Sequence, residues 1–132
     1  MSWAKFPLLL HAAIETAAAI SFIANPTAQL PGASDDAVLI LRSYGGLLLS
    51  SNLLCFLFAA RPGFDAATAL VAVSVGSYHL WPAGRALARI RRGIGTEGDQ
   101  GRVLGGPALH LVVHVVCFVA LMGAALFGVE SA

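Results

Sequence analysis

The sequence predicts an all-α protein, a four-helix transmembrane bundle with short loops, built as one domain across 132 residues. Two observations carry that prediction. Only 11% of the residues are charged and 58% are hydrophobic, whereas a soluble domain carries about 25% charged residues. The mean hydropathy is +0.79, and the apolar residues gather into runs close to the roughly 20 needed to cross a hydrocarbon core. A bilayer accepts only helices or closed barrels, and these runs exceed the roughly 9 to 11 residues of a barrel strand. The length leaves little room for a second domain. A formal charge of +1, with no basic soluble face, argues against nucleic acid as a partner and leaves membrane lipids.

The first predicted helix covers 6–24 and stops at Asn25-Pro26, a dipeptide that resists helix continuation. Its apolar stretch holds His11 and Glu15 and lacks a small-x-small cleavage signal, so a membrane helix is favoured over a signal peptide. The second covers 37–60. Ser34 offers a cap ahead of it, Asp35 and Asp36 suit the positive end of a helix dipole, and Arg61-Pro62-Gly63 closes it. The third covers 64–81 and meets Pro82, and the fourth covers 107–128 after Gly105-Gly106. Between them lies a basic loop, 83–104, carrying Arg85, Arg89, Arg91, Arg92 and Arg102, against Lys5 and Arg61 on the opposite side. The positive-inside rule places this loop in the cytoplasm and both termini on the far side, in the endoplasmic reticulum or plasma membrane. Within it, "RALARIRRG" reads as a short basic helix at the interface, and "GIGTEG" is a chance match to a nucleotide-binding pattern because no strand precedes it. Frequent small residues such as Gly45, Gly76 and Ala124 allow close helix packing and suit homo-oligomer contacts. Cys55 and Cys117 lie in apolar runs without metal or redox spacing.

Polar residues at membrane depth are the functional signal, because ionisable groups there face the bundle interior. At 1.5 Å rise per residue, Glu15 lies mid-helix and His114 about 5 Å to the cytoplasmic side of its own helix centre. Asn52 and His11 lie a similar distance the other way. Arg42 and His79 fall about 9 Å toward the cytoplasm, with His110 slightly beyond. With Tyr44 and Tyr78, these residues form a ladder from a wet mouth to Glu15. The pairs His11/Glu15 and His110/His114 are each spaced i,i+4 and so share a helix face. Tyr78, Trp81 and Trp3 suit an interfacial aromatic belt.

The leading functional reading is a polar pocket for a lipophilic small molecule, in an isomerase, cyclase or oxidoreductase working by acid–base chemistry. Glu15 and His114 are the candidate catalytic pair, and Arg42, Asn52, Tyr44, His79, His110 and His11 are the candidate substrate-binding residues. A b-type haem between His79 and His110 or His114 is an alternative. So is a metal site of His110, His114, Glu15 and His79, although an i,i+4 histidine pair without H-E-x-x-H is weak support and no metal is assigned. A non-catalytic assembly factor, chaperone or transporter subunit is the remaining class.

An acidic residue in a first helix that ends at "ANP", then "LRSYGGLLLSSNLL" across Arg42 to Asn52, and a fourth helix closing the chain, resemble the DoxX-like group. These are small four-helix membrane proteins, and the likeness is to uncharacterised members of the group. It implies the four-span fold and carries over no functional residue.

Overall fold

A computed structural model describes residues 2–94 and 105–129, so Arg102 and the Gly95 and Gly98 of "GIGTEG" lie outside the described residues. The described chain is helical and has no strand. A 3-10 turn, Trp3–Lys5, leads into α1, Phe6–Ala24. The short α2, Pro26–Gln29, follows directly, and then α3, Asp35–Ala60. Next come α4, Ala66–Tyr78, α5, Leu80–Arg91, and α6, Gly106–Phe127.

Helix limits follow local chemistry. Ser34 caps α3 through its Oγ, which accepts from the Ala37 N–H at 3.3 Å, and the helix begins two residues earlier than 37. Asp65 caps α4 by accepting from the Thr68 N–H at 2.8 Å. Gly105 and Gly106 take positive φ values of 89° and 80°, the left-handed turn that starts α6. Asn25-Pro26 ends α1 as expected, and Pro26 opens the four-residue α2, which the sequence reading did not anticipate. A hydrogen bond of 2.7 Å from Gln29 Nε2 to Ser21 Oγ holds α2 against α1.

The third apolar run departs most from expectation. It is not one helix over 64–81, because α4 stops at Tyr78 and α5 starts at Leu80. Pro82 has no N–H to give the Tyr78 carbonyl, and its ring crowds that carbonyl, so the helical ladder breaks one turn earlier. His79 sits at the break, donating its N–H to the Gly76 carbonyl at 3.0 Å while its own carbonyl accepts from Ala83. Pro82 then occupies the first turn of α5, where its missing N–H costs nothing. The basic helix is therefore longer than the stretch "RALARIRRG", beginning at Leu80.

Three helical segments, Trp3–Ala24, Asp35–Ala60 and Gly106–Phe127, are long and apolar enough to cross a membrane. Their burial is consistent with that: the most apolar 18-residue stretch of each is only 39%, 28% and 22% buried. Leu47, Phe56, Val112, Val119 and Phe127 point outward, while His11, Glu15, Asn52, His79 and His114 point inward. That arrangement would be untenable in water and is natural in lipid.

The helices pair off. α1 packs mainly on α3, and α6 packs mainly on α4 and α5, while α1 and α6 meet more sparingly. Lys5 at the start of α1 is buried and donates to the carbonyl of Arg61 at the end of α3, so these two helices run antiparallel. Ala4 lies against Gly128 at the end of α6, which brings the two described ends of the chain together. Where α1 crosses α3, a Cβ at Gly45 would lie 3.0 Å from the Ala19 carbonyl oxygen, so glycine sets that close approach. Cys55 and Cys117 are buried free thiols that pack as small apolar residues.

Candidate functional site

Four ionisable side chains converge at the centre: His11 and Glu15 from α1, His79 from the α4–α5 break, and His114 from α6. Their exposures are 1%, 1%, 0% and 9%. One turn of α1 aligns His11 with Glu15, and the His79 imidazole is buried between His11 of α1 and His114 of α6. The three rings form a chain, with His11 Nδ1 2.9 Å from His79 Nε2 and His79 Nδ1 2.8 Å from His114 Nδ1. Each contact needs one N–H and one lone pair, so His79 donates to one neighbour and accepts from the other while it is neutral. Tautomers along the chain are therefore coupled.

Glu15 lies beside this chain. Its Oε2 accepts from the Tyr78 hydroxyl at 3.2 Å, and Tyr78 in turn accepts from Tyr44 at 2.9 Å. Its Oε1 is buried without a hydrogen-bond partner among the described residues. The nearest cationic candidates are His114 Nδ1 at 3.6 Å and His79 Nδ1 at 3.9 Å. A buried carboxylate oxygen left without a donor is costly, so it marks a place where the fold gives up stability.

A cavity of about 260 Å³ opens beside the cluster, in the seam where α1 and α6 separate. Ile14, Ala18, Phe22 and Val113 supply apolar wall, while Glu15, Tyr78 and His114 form the polar end. Exposed Ala17, Leu109 and Arg85 stand at the rim, so the cavity opens sideways between α1 and α6. A smaller cavity of about 80 Å³ adjoins it, with Gln29, Arg85, Arg89 and His110 among its polar walls.

The structure sorts the candidate residues. It brings Glu15 and His114 together and places His110 in the cavity wall. His11 and His79 belong to the buried cluster, and His79 is not at a wet mouth. Tyr44 reaches the site only through Tyr78. Arg42 is exposed and lines neither cavity, because the polar face of α3 near its start turns away from the α1–α6 seam. Asn52 is also separate. Its amide meets the Thr16 hydroxyl at 2.9 Å, and in the orientation that satisfies both ends its nitrogen donates to the Leu48 carbonyl at 3.2 Å, tying α3 to α1.

Two residues stand closer to the site than their sequence context suggested. Tyr78, placed by sequence both in the polar ladder and in an aromatic belt, directs its hydroxyl to the Glu15 carboxylate. Arg85, read from sequence as part of a short basic interfacial helix and of the topology signal, borders both cavities. The spacing Tyr78-His79-x-x-Pro82 was the available signal, because a proline there interrupts the helical hydrogen bonds at the residues just before it. The 2.8 Å contact between His79 and His114 leaves no room for a porphyrin between that pair. No protein-family model, curated protein or solved structure matches the chain.

Proposed function

We propose that this protein is a four-span helical membrane protein of the DoxX-like type whose central pocket receives a lipophilic small molecule. The reading is carried by one observation: an apolar cavity of about 260 Å³ ends on Glu15, a buried carboxylate with one oxygen unpartnered. An apolar body would fill the wall, and a hydroxyl on the ligand would donate to Glu15 Oε1. Entry from the bilayer between α1 and α6 suits a molecule dissolved in lipid.

The chemistry that fits is proton transfer. Glu15 and His114 both border the cavity, with 3.6 Å between Oε1 and Nδ1. A ligand oxygen or carbon placed between them can lose a proton to one and gain one from the other, as an isomerase or cyclase requires. His79 and His11 extend the route and let a proton move along coupled tautomers. The α4–α5 segment forms the third span, with the basic end of α5 and the segment 83–104 in the cytoplasm.

A photoreactive, alkyne-tagged isoprenoid-like or fatty-alcohol probe tests the pocket. Irradiation of the detergent-solubilised protein should label peptides from 14–22 and 109–114, and Ala18→Trp, which fills the wall, should remove most of the label. Labelling spread evenly over the outward faces of α3 and α6, and unchanged in Ala18→Trp, would refute the pocket.

A further inference from the structure

We infer that His79, His114 and Glu15 form a two-histidine, one-carboxylate site for a divalent first-row transition metal. The three atoms concerned are His79 Nδ1, His114 Nδ1 and Glu15 Oε1, separated by 2.8, 3.6 and 3.9 Å. A point about 2.0 Å from all three lies between them, which is the bond length of zinc to imidazole nitrogen and carboxylate oxygen. Tetrahedral ligands on such bonds stand roughly 3.3 Å apart, so binding needs Glu15 drawn in by a few tenths of an ångström and the two rings eased apart.

The surrounding bonds are those a metal site requires. A ligating imidazole donates its remaining N–H to a fixed acceptor, which sets its tautomer. With the metal on Nδ1, His79 carries its proton on Nε2, and His11 Nδ1 accepts it at 2.9 Å. The second carboxylate oxygen of Glu15 is held by the Tyr78 hydroxyl, itself backed by Tyr44. Oε1, buried and otherwise without a donor, gains the cation. His11, Glu15 and His79 also offer ligand atoms all within 4.8 Å of one another, so His11 stands near enough to replace a displaced ligand. All the donors are nitrogen or oxygen, a set that suits zinc or iron(II) and disfavours copper(I).

Glu15 and His114 also border the cavity, so the remaining coordination positions face it. The triad stands on its own geometry, and only this last point rests on the reading of the cavity as a ligand pocket. A metal there would hold and polarise an oxygen of the bound molecule in place of its hydrogen bond to Glu15 Oε1.

Cobalt(II) is the probe. The full chain, purified in detergent and stripped with chelator, should bind about one cobalt per chain with the visible absorption of a four- or five-coordinate ion. Glu15→Gln, which preserves shape, and His114→Ala should each weaken binding at least tenfold, while Arg42→Gln, remote from the site, should not. Elemental analysis of protein purified without chelator distinguishes zinc from iron. Absence of cobalt binding by folded, monodisperse wild-type protein, or binding equal in Glu15→Gln and His114→Ala, overturns the site. Cobalt bound without probe labelling of 14–22 and 109–114 supports the metal site and refutes the pocket. Labelling without cobalt does the reverse.

Discussion

At the scale of single residues, position along the helix mattered more than residue type. Glu15 and His114 could be paired from sequence because each lay near the middle of an apolar run, where helical rise alone fixes depth. His79 was placed too near the water because the third run was taken to end at Pro82, whereas helix resumes at Leu80 and continues to Arg91, which puts His79 in the middle of the segment. Arg42 and Asn52 show the other limit, since depth does not fix rotation about the helix axis. Both lie on α3, but one faces out and the other binds Thr16. Tyr78 carries a prediction at this scale. Tyr78→Phe removes the donor to Glu15 Oε2 and the acceptor for Tyr44, and should destabilise the protein by about 1–2 kcal/mol. Thermal unfolding in detergent measures the loss. An unchanged midpoint would show that the carboxylate does not depend on the hydroxyl.

At the scale of elements, the signals that held were chemical stops and caps. Asn25-Pro26, Ser34 and Gly105-Gly106 mark ends that the structure also marks. The α4–α5 break was not legible as a site because proline was read as the end of a span rather than as a break within a longer helical segment, beside His79. Pro82→Ala tests that role. With an N–H at position 82 the Tyr78 carbonyl gains a partner, the two helices join, and the His79 ring leaves its contact with His114. Cobalt affinity should fall at least tenfold while the protein stays folded, with equal or greater helicity by circular dichroism. Unaltered affinity with unaltered helicity would mean that neighbouring helices, and not proline, hold the ring.

At the scale of the whole molecule, composition was decisive for class and silent on the ligand. An apolar exterior around a polar centre follows from 58% hydrophobic residues with few charges, because those few have nowhere to go but inward or to the ends. The seam between α1 and α6 was not legible, since it depends on which helices pair, and α1 chooses α3 through close contacts such as Gly45 on Ala19. That choice leaves the cavity beside Glu15. The most direct test of the account is mass spectrometry of small molecules that co-purify with wild-type protein and with Glu15→Gln, at equal protein and detergent. The account predicts a discrete lipophilic compound near one per chain in the wild type, reduced several-fold in the variant. Equal amounts in both, or only bulk lipid in both, would contradict it.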